Sequence, residues 1–402
     1  MALERALVRL LELTCGITIA NVYYAQPLLP TIARELGIGP SAAGMLITVT
    51  QVGFACGLVF VVPLGDIIAR RPLITTLLAI DAVALAVSAA ASGPQVLGAA
   101  AILVGASSVV AQMVIPYAAT LARPEHRGRT VATLMGALLL GVLLSRTFAG
   151  LVAEVSGWRW VYGVAAGVMA VMAATMYRML PAGGREVDLG YAAQMRAVLR
   201  LARGEPVLRW RSLIGAAQFA MFSCFWSTVT FLLSGPPFGW SKAGIGLFAL
   251  VGALGALCAL GGGRLLDRRR TRLPVTGGAI VLLAGSFGVL AAGRSSLVWL
   301  VLGALLMDVC CQVVHVTNQA VIYDLVDAAR SRLTTIYMTT YFFGGALGTA
   351  VGISAYDRYG WGGACAASAG FCGLAALGWL ATYRHERPTA ARLPAMSDQR
   401  EN

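Results

Sequence analysis

Four ionisable residues sit inside runs of hydrophobic sequence where water is scarce: Asp81, Arg146, Asp308 and His315. An ionisable group within hydrocarbon costs at least ~2.5–3.5 kcal/mol, so each needs a partner or a task. Asp308, Gln312, His315 and Gln319 are spaced i, i+4, i+7 and i+11. That spacing lines them up on one helix face, aimed at a cavity or a polar neighbour and away from lipid. A carboxyl and an imidazole on such a stripe are expected to bind and release protons, the imidazole with an ordinary pKa of about 6.5. Arg146 stays charged and must find an anion or a carbonyl. At 1.5 Å per helical residue its depth differs from that of Asp308 by only ~5 Å, so the two can pair, or Arg146 can receive the carboxylate of a ligand. Asp81 lies deeper and is expected to pair within its own half of the chain. Asn21, Tyr24, Gln112, Gln218, Phe222, Trp226, Tyr337 and Tyr341 add amides and aromatic rings, the lining that suits an amphipathic small molecule.

A second group of charges lies between apolar runs. Asp66 is followed by Arg70 and Arg71, and Asp267 by Arg268, with the two aspartates 201 positions apart in a chain of 402. Asp66 can face the start of the eleventh span near Arg332 and Leu333. Asp267 can face the start of the fifth, near Arg129 and Thr130. A helix N-terminus carries about half a positive charge, and an anion placed there gains ~0.3–1 kcal/mol, or about 2 when partly buried. Such contacts exist only while the ends of two halves touch, so Asp66, Arg70, Arg71, Asp267 and Arg268 read as gating residues.

The elements that must position these side chains follow from composition. Hydrophobic residues make up 58 % of the chain and charged residues 12 %, about half the charge of an ordinary soluble domain. Twelve apolar runs, each about long enough to cross ~30 Å of hydrocarbon, fall at 10–30, 43–64, 73–91, 96–119, 130–153, 160–180, 209–233, 243–265, 274–292, 297–324, 333–355 and 361–382. The fold class is therefore all-α integral membrane. The N-terminal run, interrupted by Asn21, Tyr23, Tyr24 and Gln26, reads as the first span and not as a cleaved leader. Of 31 Lys and Arg, 25 lie in the termini, alternate loops and the span ends beside them, five on the opposite side and Arg146 well within a span, which predicts that both termini are cytoplasmic. The net charge of +13 thus sets topology and calls for no nucleic-acid partner. All eight cysteines fall in apolar spans, so neither a metal site nor a disulfide framework is expected. The longest loop contains a segment with Tyr191, Met195, Val198, Leu199 and Ala202 on one face and Arg196, Arg200 and Arg203 on another, the pattern of a helix lying on the membrane surface.

The chain also repeats. Ser41-Ala42-Ala43-Gly44 resembles Ser241-Lys242-Ala243-Gly244, and at a constant offset of 203 Arg129, Met135, Gly141, Glu154, Gly157 and Trp158 match Arg332, Met338, Gly344, Asp357, Gly360 and Trp361. Corresponding spans run in the same direction, so the repeat is parallel. The expected organisation is a six-helix bundle at 1–180, a linker at 181–208, a second six-helix bundle at 209–383 and a cytoplasmic tail at 384–402.

With these features the chain resembles the major facilitator superfamily over essentially its whole length. The family's G-x-x-x-D-x-x-G-R-R loop is matched by Asp66, Arg70 and Arg71, with Val62 and Ala69 in place of both glycines. Gly157-Trp158-Arg159-Trp160-Val161-Tyr162 is similar to the family's G-W-R-W-x-F, and Asn21 to Pro30 looks like a bacterial branch grouped with sugar and drug exporters. Two departures stand out. Span 4 has Ser107, Ser108 and Gln112 where drug antiporters carry Arg followed by Gln-Gly, and their Gly-Pro in span 5 aligns with Ser145-Arg146. The resemblance implies two pseudo-symmetric bundles of six helices, with spans 1, 4, 7 and 10 lining a central cavity.

No phosphate-binding loop, zinc spacing or nucleophile elbow is present, and the three histidines are widely separated, so neither an enzyme nor a cofactor is expected. The expected activity is secondary active transport of a small organic molecule across a bacterial inner membrane by alternating access, as proton-coupled efflux, carried out by a monomer. Uptake or facilitated diffusion of an organic anion or sugar is the alternative.

Overall fold

The structure, a computed structural model, describes residues 2–122, 126–181, 190–252, 269–325 and 330–392. It is helical throughout, with no strand among the described residues. The elements are α1 (Ala2–Ala20), α2 (Ala25–Leu36), α3 (Pro40–Phe60), a 3-10 turn (Val62–Asp66), α4 (Arg70–Ala90), α5 (Pro94–Ser107), α6 (Val110–Leu121), α7 (Arg127–Ser156), α8 (Trp158–Met179), α9 (Tyr191–Gly204), α10 (Pro206–Ser234), α11 (Lys242–Phe248), α12 (Arg269–Ala292), α13 (Leu297–Tyr323) and α14 (Arg330–Arg392). Among the described residues, ten stretches are long and apolar enough to cross a membrane. One of them, Arg332–Arg384, bends at Gly360, whose φ of 63° breaks the helical backbone. The expected eighth span, 243–265, begins as α11 and continues outside the described residues.

Two expected spans are each two helices. The first is interrupted at residues 21–24, where Asn21, Val22 and Tyr23 donate their N–H to carbonyls three residues back. Pro27 is the cause: it supplies no N–H to the Tyr23 carbonyl, and its ring crowds that oxygen. The fourth span is interrupted at Ser108 and Val109, between α5 and α6. Here the Ser107 hydroxyl lies within hydrogen-bond reach of the Leu103 and Val104 carbonyls, and a serine that bonds back to its own helix bends it.

One hydrophobic core draws only on residues between Leu10 and Leu180, and another only on residues between Ile214 and Ala375. The register of the sequence repeat recurs in the packing. A Cβ on Gly141 would overlap the Gly16 backbone of α1, and one on Gly344 would overlap the Ala216 backbone of α10. The matched glycines thus let the fifth and eleventh spans press against the first helix of their own half. Gly157 (φ 88°) and Gly360 (φ 63°) turn the chain between consecutive helices. The tryptophans after them are anchored alike, Trp158 by donating to the Glu35 carboxylate at 2.7 Å and Trp361 by donating to the Leu290 carbonyl at 2.7 Å.

The two halves meet at the end of the bundle opposite both termini, here called the distal end. Asp357, at the close of the eleventh span, accepts from the Ser41 hydroxyl at 2.8 Å; its repeat partner Glu154 accepts from the Ala243 N–H at 3.2 Å. Each carboxylate therefore lies at the N-terminus of a helix of the other half, where the helix dipole favours it. Lys242 adds a bond from its ammonium to the Ala153 carbonyl, and Thr147 donates to the Gly246 carbonyl. Gly150 and Gly246 bring these backbones together. Along the second seam, Gln51 donates to Ser223 at 3.2 Å and Phe54 packs on Phe342 at 4.2 Å between ring centroids.

Candidate functional site

Arg146, on α7, is buried at the first of these seams, between α2 of its own half and α10 of the other. Its Nε donates to Gln26 of α2 and its Nη1 to the Val142 carbonyl. Its guanidinium lies 5.0 Å from the ring centre of Tyr23 in the first half, and 4.8 Å and 5.7 Å from those of Trp226 and Phe222 in the second. A cation so desolvated is held by the ring faces, each worth ~0.5–2 kcal/mol. Trp226 also donates its indole N–H to Asp308 at 3.4 Å. The two charges expected to pair are therefore linked through an indole, whose face takes the cation and whose edge takes the carboxylate. Gly252 admits this arrangement, since a Cβ there would meet both Trp226 and the Asp308 carboxylate.

Hydrogen-bonding capacity is left over at this point. Arg146 Nη2, Gln26 Nε2 and Asp308 Oδ2 are buried and have no partner, and an unsatisfied buried polar group costs about 1–3 kcal/mol. Gln26, Arg146 and Trp226 line a small cavity, closed over by Ile245 and Phe248, with room for about one water molecule. The site thus presents two free donors and a free acceptor around an aromatic wall. It is built by α2, α7, α10 and α13, and neither half of the chain supplies it alone.

The lower end of the polar stripe forms a separate cluster. His315 shares a hydrogen bond with the Tyr337 hydroxyl through Nδ1 at 3.1 Å and packs 4.8 Å from the ring centre of Tyr341. Tyr341 stacks in turn on Phe219 at 4.1 Å. His315 lies seven residues from Asp308, about 10 Å along the helix, so the two candidate proton carriers face different neighbours. Gln112, Gln312 and Gln319 are half-buried, while Gln218 is buried with its side-chain oxygen unpaired. Tyr24 packs against Phe148.

Asn21 points elsewhere, donating at 2.7 Å to Asp81, whose carboxyl also contacts Ser107 at 3.0 Å and Ser108 at 3.5 Å. Asp81 is completely buried and its partners all come from its own half. Of the expected gating residues, Arg70 lies over the Tyr117 ring at 4.9 Å and Arg71 over Tyr177 at 4.6 Å, both within the first half. Asp66 closes the 3-10 turn, but its side chain lies outside the described residues, as do Asp267 and Arg268. Leu333, the expected target of Asp66, is buried with Leu208, Ile322 and Tyr337 of its own half.

Sequence reasoning missed several residues. Gln26 was visible only as an interruption of an apolar run. Gln51 gave no signal, because one amide in a span is unremarkable. Arg211, at the start of the seventh span and one of the 25 Lys and Arg counted toward topology, is fully buried and donates to Thr276 at 3.1 Å and Asn318 at 3.2 Å.

A shallow groove of about 580 Å³ between α4 and α5 is walled by residues such as Ile80, Val83, Val87 and Leu103. It offers no chemistry comparable to that of the seam.

The sequence profile of the Major Facilitator Superfamily matches residues 13–307 and 276–400. An Escherichia coli protein named as a transporter, YgaY, is 44 % identical over 386 residues, covering 96 % of this chain and 97 % of that one. A Streptomyces coelicolor protein named as a transporter, SCO4007, is 34 % identical over 383 residues, covering 95 % and 88 %. In fold, the chain is similar to a bacterial homologue of the human lysosomal transporter Spinster in an inward-facing, occupied conformation, with a TM-score of 0.74, 13 % identity and coverage of 96 % and 97 %. Taken with the apolar spans and the cores of the two halves, these matches show that the chain is a membrane transporter belonging to the Major Facilitator Superfamily.

Proposed function

We propose that this transporter is a secondary active exporter, exchanging a small organic molecule for protons across a bacterial inner membrane. Residues 1–180 and 209–383 rock against each other, joined by the linker at 181–208 that contains α9. The observation that carries this reading is the seam site of Arg146, Gln26, Trp226 and Asp308. Its buried donors and acceptor have no partner while the distal end is closed, and both halves are needed to build it. Such a site suits a ligand that binds between the halves and leaves when they part. The excess of Lys and Arg in the loops at the end bearing the termini supports a cytoplasmic location for that end. The distal closure then faces outward, and the protein is poised to load from the cytoplasm.

A second reading, movement of an organic anion down its gradient, is favoured by the free donors of Arg146 and Gln26. Everted membrane vesicles energised with an acid interior separate the two. Chloramphenicol and benzoate serve as probes of an amphipathic neutral molecule and an organic anion. Exchange predicts that a transported probe dissipates the pH gradient only in vesicles containing the protein. Benzoate equilibration that is indifferent to the gradient would instead support the second reading.

A further inference from the structure

Among the described residues, Asp81 is the one buried carboxyl placed where two broken helices meet. Its Oδ2 accepts from Asn21, at the break in the first span, and from Ser108, at the break in the fourth. Its Oδ1 faces Ser107 Oγ at 3.0 Å. The hydrogen at that second contact can be counted. A serine hydroxyl owns one hydrogen, and Ser107 Oγ lies 2.7 Å from the Leu103 carbonyl, which can only accept. Other hydroxyls of this half, those of Thr14, Thr18, Thr50 and Ser88, give their hydrogen to the carbonyl four residues back at 2.6–2.9 Å. If Ser107 does the same, the contact to Asp81 has no hydrogen of its own unless the carboxyl brings one.

The surroundings agree. Asn21, Ser107 and Ser108 are joined near Asp81 by the Tyr24 phenol, and among the described residues no Lys, Arg or His acts on it. An ionised carboxylate, completely buried in a membrane bundle with no counter-charge, is the arrangement that such bundles avoid.

We propose that Asp81 is a proton-binding site. Its proton, held on Oδ1 and donated to Ser107, pins the break of the first span to the break of the fourth while the distal end is closed. Losing that proton to the aqueous side then open leaves a carboxylate that accepts from Ser107 instead. The serine hydrogen is withdrawn from the Leu103 carbonyl, and the joint between the two spans is rearranged. Proton binding at Asp81 is independent of the transport reading; only its use to move the halves rests on that reading.

The test uses the full-length protein in lipid and needs no substrate. Infrared difference spectra at neutral pH are expected to show a protonated carboxyl carbonyl that is absent in Asp81→Asn and retained in Asp308→Asn. Asparagine can donate to Ser107 and accept from Asn21 as the neutral acid does, so Asp81→Asn is expected to fold. Ser107→Ala, which removes the acceptor, should shift the frequency of the band without abolishing it. Spin labels at Gly39→Cys and Arg358→Cys on a cysteine-depleted background then report distal separation. Raising the pH should lengthen it in the parent and leave it unchanged in Asp81→Asn. No carboxyl band in the parent, including the ionised spectrum that a bound sodium ion would give, would overturn the site. A band that vanishes in Asp81→Asn while the label distance still responds to pH would overturn its role in moving the halves. Loss of proton-driven exchange with the band intact would sink only the transport reading.

Discussion

Trp226 is the residue through which the two charges of the seam communicate, and its two contacts can be separated. Trp226→Phe keeps a ring face for Arg146 but removes the N–H given to Asp308. A bond to a charged group is worth roughly 1.5–3 kcal/mol, so probe-driven dissipation of the pH gradient should slow by about tenfold or more. Trp226→Leu removes both contacts and should be worse. Equal rates for the three proteins would remove Trp226 from the site. At this scale the sequence was informative about type but not about partner. The stripe from Asp308 to Gln319 marked a helix face, and Arg146 marked a buried cation. That an indole would stand between Arg146 and Asp308 depends on how α10 meets α7, which residue spacing along one helix does not encode.

Elements are held together by close backbone approach at a few glycines. Gly344 lies against the Ala216 backbone, whereas a Cβ on Gly370 would meet nothing within 4 Å. Gly344→Ala should therefore destabilise the protein by about 1–3 kcal/mol, the usual cost of forcing extra volume into a packed interface. Gly370→Ala should be close to neutral. Thermal unfolding in detergent compares them, and equal midpoints would show that the contact is not limiting. The helical spans were legible because apolar length is a one-dimensional property. The breaks in the first and fourth spans were less so. Pro27 signals the first, but its effect falls four residues earlier, at the Tyr23 carbonyl. The second depends on where the Ser107 hydroxyl goes, a choice made by tertiary contact.

At the scale of the whole molecule, the repeat proved more informative than any single motif. Glu154 and Asp357 were matched by register alone, and they turn out to sit on the other half's helix starts at the distal end. The sequence pointed to a latch at the opposite end, through Asp66 and Asp267, because the loop motif is conspicuous there and a lone carboxylate at a helix end is not. Alternating access requires both ends to be breakable. Replacing both distal carboxylates, Glu154→Gln with Asp357→Asn, removes about 0.3–1 kcal/mol of helix-end attraction at each exposed position, enough to shift a balanced equilibrium several-fold. The decisive measurement is the distance distribution between spin labels in lipid, taken for a distal pair at residues 39 and 358 and a proximal pair at residues 60 and 332. In the double variant the distal distances should lengthen while the proximal distances shorten. Distributions unchanged at both ends, or lengthening at both, would contradict a transporter that rocks between two closures.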